Sequence, residues 1–152
     1  MANSVQPALC SIQRAADVVG DRWTLLILRE AIFGRTRFVE FQENLGVATD
    51  VLSARLARLV EEGVLRREVY RESGSRRRHE YRLTPTGEAL YPLVAALGQW
   101  GEEYHPVVGG TAPRFSVAAS GEPARLAFVS ESGKVIDPAG VVVARGTPSV
   151  IG

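Results

Sequence analysis

The sequence predicts a mainly α fold with a β-hairpin wing (α+β): a winged helix-turn-helix domain with a small C-terminal β extension. Three observations predict it. Residues 47–65, VATDVLSARLARLVEEGVL, set Leu52, Leu56 and Leu59 at spacings of four and three. That is the inward stripe of an amphipathic helix, and a turn of only a few residues separates it from the helical pattern before it. Directly after it, β-favouring runs around Val69-Tyr70 and His79–Leu83 flank Ser73-Gly74-Ser75 and an arginine-rich tip, as a wing would. Beyond residue 113 the helical period gives way to short hairpin signals.

Each element follows in order. Residues 1–9 read as a loose arm. In SIQRAADVVG, apolar Ile12, Ala15, Ala16 and Val19 predict a short helix ended by Gly20. Asp21 then caps a second helix, RWTLLILREAIF, ended by Gly34 and apolar nearly all round, which belongs at the buried centre. Gly34-Arg35-Thr36-Arg37 is a tight hinge into a third helix that starts near Phe38 and ends at Leu45-Gly46. The next helix starts at Ala48 or Thr49, with Thr49 able to cap it, and Gly63 closes it at C′. Its outer side carries Asp50, Ser53, Ala54, Ala57 and Arg58. Such small and short polar residues let another surface approach the backbone, as a helix entering a DNA major groove requires; an ordinary surface helix is the competing reading. Thr84 as cap and Pro85 at the first position open a long helix with the stripe Leu90, Leu93, Val94, Leu97 and Trp100, continuing to about Tyr104. That stripe is longer than the domain's own core needs, which predicts a two-fold partner.

Residues 1–105 are thus expected to form the DNA-binding and dimerisation domain, 106–113 (PVVGGTAP) a linker, and 114–152 a β-rich extension. In the extension, runs at 126–130 and 134–136 flank Glu131-Ser132-Gly133 as a hairpin, and a turn at Asp137-Pro138-Ala139-Gly140 precedes a strand over 141–145. So small a β unit buries little alone, so it is expected to pack on the helical domain or on a second chain.

Composition narrows the function classes. The net charge of +1 selects no partner, but residues 66–82 hold seven arginines against three glutamates. The single cysteine, Cys10, excludes an internal disulfide and fits a reducing cytoplasm. Neither a signal-peptide pattern nor an apolar run of roughly 18 residues is present, so a cytoplasmic location and no membrane partner are expected. Cys10, His79 and His105 do not make a zinc ligand set, and no nucleophile pattern joins Ser53, His79 and the acids. The expectation is no metal, no cofactor and no enzyme activity.

The segments CSIQRAADVVGDRWTLLILREAIFGRTRFVEFQENLG, VLSARLARLVEEGVLRREVY and YRLTPTGEAL, within residues 10–99, resemble the HxlR family of bacterial winged-helix transcription factors, distantly similar to the MarR group. The resemblance implies a homodimer built from the first and last helices, with each recognition helix in a major groove of double-stranded DNA and each wing on the flanking backbone or minor groove. It implies a sequence-specific regulator, a repressor by preference, on a pseudo-palindromic operator. A winged-helix protein-interaction module without DNA binding is the rival reading.

On this reading Asp50 and Ser53 lie at base edges, Asp50 either accepting from a cytosine amino group or capping its helix. Thr49 and Ala54 share that N-terminal region. Arg55 and Arg58 pair with phosphates, and Arg35, Thr36 and Arg37 hold the backbone ahead of the turn. Arg76, Arg77 and Arg78 suit the negative potential of a narrow minor groove; solvated edge charge is the alternative. Cys10, just before the first helix, stands where some family members sense oxidants or electrophiles, and its other reading is a small apolar interface residue. Trp23, Phe38, Trp100 and Tyr104, with Phe33 and Phe41, line an effector pocket for a small molecule or form ordinary core and dimer contacts.

Overall fold

The computed structural model describes residues 10–70, 74, 78–110 and 113–144. Two compact units, residues 1–97 and 98–152, make up the chain. In the first, α1 (Ser11–Val19), α2 (Arg22–Ile32), α3 (Phe38–Leu45) and α4 (Thr49–Glu61) precede an antiparallel hairpin of β1 (Leu65–Tyr70) and β2 (Arg78–Leu83). The short α5 (Pro85–Glu88) and then α6 (Tyr91–Tyr104) follow. This is the helix-turn-helix followed by a wing that the pattern predicts.

Local sequence chemistry sets most of the boundaries. Asp21 Oδ1 accepts from the amides of Trp23 and Thr24 at 3.1 Å each, filling donors that the first turn of α2 leaves open. Gly46 ends α3 in the left-handed region at φ 59°. At the end of α4, Gly63 N–H donates to Val60 O and Val64 N–H to Leu59 O, a Schellman closure that Gly63 permits at φ 70°.

The core of this unit forms where the leucine stripe of α4 meets α2 and α3. Leu52, Leu56, Ile27, Leu28 and Phe41 are wholly buried, with Leu59 and Leu65 close to it. Burying each such side chain contributes about 1.5–3 kcal/mol. Glu30 is buried too, its carboxylate held by Arg29 Nη2 at 2.7 Å.

Several expectations need correction. Ala48, not Thr49, occupies the N-cap of α4, and it offers no side-chain cap bond. The Thr49 hydroxyl is engaged elsewhere, accepting from Gln42 Nε2 of α3 at 2.6 Å. The long helix expected from Pro85 is two helices, because α5 stops at Glu88 and α6 starts at Tyr91. Pro92 explains the break: it has no N–H to donate to the carbonyl four residues earlier, and its ring clashes there.

The second unit contains two short hairpins, β3 (Phe115–Ser116) with β4 (Pro123–Ala124), and β5 (Phe128–Val129) with β6 (Val135–Ile136). The second hairpin turns through Gly133, as expected, whereas the first was not anticipated. The strand expected over 141–145 does not form across the described residues 141–144. Val141 N–H instead donates back to Pro138 O, closing a 3-10 turn at Pro138–Gly140. Residue 145 lies outside the described residues.

Candidate nucleic-acid interface

The geometry of α4 follows from its two faces. Leu52, Leu56 and Leu59 hold one side against the core, which leaves Asp50, Ser53, Ala54, Ala57 and Arg58 exposed on the other. Asp50 sits exposed in the first turn of α4, where a carboxylate meets the open amides of the helix end.

The two arginines of α4 turn toward the protein. Arg55 is half-buried, with Nε 3.1 Å from Asp21 Oδ1. Its Nε–H makes no hydrogen bond, so this attraction is one of charge. Arg58 Nη2 donates to the Asp17 carbonyl of α1 at 2.9 Å and lies 3.7 Å from Glu62 Oε1. Both side chains therefore reach from α4 to the elements before it, and Arg58 stays exposed.

The hinge at residues 34–37 does more than connect helices. Thr36 O accepts from Tyr81 N–H at 2.7 Å, and Arg37 bridges Glu80 in antiparallel register, so the hinge lies along β2. Glu40 Oε2 accepts from the amides of Thr36 and Arg37 at 2.9 Å each. Those two amides hold the Glu40 carboxyl below its ordinary value, against a smaller opposing effect of burial. The Arg37 guanidinium lies over the Tyr70 ring at 4.8 Å, and Arg35 is exposed. Glu40 went unnoticed in the sequence, although a glutamate three residues after the N-cap is the usual signal for such a contact.

In the wing, Arg66 pairs with Glu68, and Arg82 lies 2.9 Å from Glu80 and 3.4 Å from Glu68. The Arg66 hydrogen bond holds the Glu68 carboxyl low, and the Glu80 carboxylate raises the Arg82 guanidinium further. Arg78 is exposed at the start of β2, opposite Tyr70. Arg76 and Arg77 lie outside the described residues.

The other candidates are dispersed. Cys10 is exposed at the N-cap position of α1, with no side-chain cap bond. Trp23 and Phe38 are half-buried against the core of the first unit. Within the second unit, Trp100 and Tyr104 are exposed, their rings tilted against each other at 5.7 Å between centroids. His105 packs on Trp100 at 4.9 Å, while His79 is an exposed wing residue opposite Val69. No helix among the described residues is long and apolar enough to cross a membrane.

Comparison with known proteins agrees with this architecture. The HxlR-like helix-turn-helix family model matches residues 18–108. An uncharacterized HTH-type transcriptional regulator of Mycobacterium tuberculosis is 51% identical over 96 residues, 63% of this chain. The match spans 60% of that relative's length. The solved structure of PA1607, a candidate transcription factor, is 43% identical with a TM-score of 0.77, covering 92% of this chain and 97% of its own. The redox regulator HypR in its oxidized form is 31% identical with a TM-score of 0.58, covering 64% of this chain and 100% of its own.

Proposed function

The chain belongs to the HxlR-like helix-turn-helix family, and from that premise we propose that it is a cytoplasmic transcriptional regulator binding double-stranded DNA as a homodimer. The observation that carries this reading is the outer face of α4, where Ser53, Ala54 and Ala57 are exposed and small while the leucines opposite anchor the helix. A rigid helix with a low-relief face can enter a major groove and bring polar groups to base edges. Residues 1–105 form the DNA-binding and dimerisation domain, and 114–152 an extension joined through 106–113.

In this reading Asp50, Ser53 and Ala54 face the bases, with Thr49 beside them. Arg35, Thr36 and Arg37 hold the DNA backbone ahead of the turn, and the wing arginines Arg76, Arg77 and Arg78 neutralise phosphates. Arg55 and Arg58, on the flank of α4, pair with phosphates. Exposed apolar side chains on α1 (Ile12) and on the first half of α6 (Leu93, Leu97) support the homodimer, whose operator is two-fold symmetric with half-sites about one DNA turn apart. Repression follows where such an operator overlaps a promoter.

The exposure of Cys10 favours regulation by a thiol-reactive signal, in keeping with the name of HypR. Any effector, thiol-reactive or a small ligand, must bind the two conformations of the dimer with different affinity.

The test is binding of the full chain to its own promoter region at two salt concentrations, beside an Arg76/Arg77/Arg78→Ala variant. Selective binding that weakens steeply with salt, with a shallower slope for the variant, supports the reading. Absence of selective binding at low salt overturns it in favour of a protein-interaction module.

A further inference from the structure

We propose that Asp50 is a specificity-determining residue that reads a cytosine in each half-site. The inference rests on the reading of α4 as the helix that enters the groove.

The argument starts from charge. The exposed face of α4 bears Asp50, Ser53, Ala54, Ala57 and, one turn further on, Glu61, with Arg58 at its edge. Its two arginines lie to the flank and are drawn to Asp21 and to the Asp17 carbonyl. Among the described residues, no hydrogen bond or ion pair engages Asp50. The helix therefore offers the groove an uncompensated carboxylate close to its N-terminus, where recognition helices meet base edges.

A carboxylate at that place is costly beside phosphates unless it accepts hydrogen bonds from a base. It has no proton to give at neutral pH, so it is repelled by the N7 and O6 acceptors of guanine and by O4 of thymine. Adenine offers its N6 amino group but sets the N7 acceptor beside it. Cytosine alone presents an amino donor without an acceptor of its own in the major groove. The small Ala54 and Ala57 let the backbone come close enough for so short a side chain to reach.

Asparagine has the same shape but adds a donor, which matches the N6/N7 pair of adenine. The experiment is selection of bound duplexes from a randomised pool by the full chain, by Asp50→Asn and by Asp50→Ala. The expected result is a two-fold motif with cytosine at one position of each half-site, favoured roughly tenfold over the other bases. Asp50→Asn moves that position to adenine. Asp50→Ala leaves it undefined while binding unrelated DNA more tightly, since a charge facing phosphate is gone.

The same motif from all three proteins overturns the inference while leaving the DNA-binding reading intact. Failure of all three to enrich any motif overturns that reading itself. Asp50 is exposed and makes no side-chain cap bond, so thermal unfolding of both variants should match that of the parent and exclude misfolding as the cause.

Discussion

Arg55 on α4 and Asp21, the N-cap of α2, lie 3.1 Å apart between Nε and Oδ1, and this contact joins α4 to the start of α2. The same carboxylate accepts from the Trp23 and Thr24 amides and from the hydroxyl of the buried Thr24. One side chain thus starts α2, satisfies a buried hydroxyl and meets Arg55 of α4.

Removing it should cost more than an ordinary cap. Asp21→Ala is expected to lower stability by about 1–3 kcal/mol, combining the lost cap with an unsatisfied Thr24 hydroxyl. The ion pair adds little to that, because both partners are more than a third exposed and screened by solvent. Urea denaturation checks the value, and Asp21→Asn should recover part of it. DNA affinity should fall in Asp21→Ala at temperatures where the chain remains folded.

Acid should act through the same groups. Burial opposes ionisation of Asp21, but the Thr24 hydroxyl and amide, Arg55 and the Trp23 amide outweigh it, so its carboxyl titrates below the ordinary 3.8. Glu40, held by the hinge amides, titrates below 4.5. Both folded values are depressed, so their contribution is fully present above the unfolded values and is lost as pH falls through the folded ones. Melting temperature should therefore fall as pH drops below 4.5, and an Asp21→Asn/Glu40→Gln variant should show a flatter acid limb.

Two glycines should behave oppositely. A Cβ on Gly87 would lie 2.2 Å from the Val64 carbonyl oxygen and 2.9 Å from a Leu83 methyl, so Gly87→Ala forces the wing root away from α5. A loss of about 1–3 kcal/mol is expected. Gly101, inside α6, has nothing within 4 Å of such a Cβ, so Gly101→Ala should be neutral or stabilising by up to about 1 kcal/mol. Paired thermal melts decide both.

The faces of α4 can be separated in the same way. Leu56→Ala, on the wholly buried side, should destabilise by about 2–5 kcal/mol. Ala57→Leu, on the exposed side, should leave the melt unchanged yet reduce DNA affinity at least tenfold by blocking approach to the groove. Equal DNA binding by Ala57→Leu and the parent would show that this face does not enter DNA.

Much of the first unit was legible because its signals are local. Leucine spacing identified the buried side of α4, Asp21 and Thr84 identified caps, and Gly46 and Gly63 identified ends, each through contacts with residues only a few positions away. The second unit was harder to read. Its strands are two residues long and carry almost no alternation, so the β3–β4 hairpin escaped notice. The break between α5 and α6 was missed because an unbroken apolar stripe outweighed the local effect of Pro92.

By itself, the sequence determined that the first unit is helical with a hairpin after α4, which side of α4 is buried, and the cap of α2 at Asp21 and of α5 at Thr84. The tertiary structure decided what each polar group is for. Arg55 has Asp21 beside it and Arg58 the Asp17 carbonyl, partners that no local pattern announces. Thr49 read as a cap until Gln42 reached it, and residues 36–37 read as a hinge until β2 came alongside. Periodicity and capping depend on residues within a turn or two of each other, whereas the partner of a charged side chain is set by the packing of segments far apart in the chain.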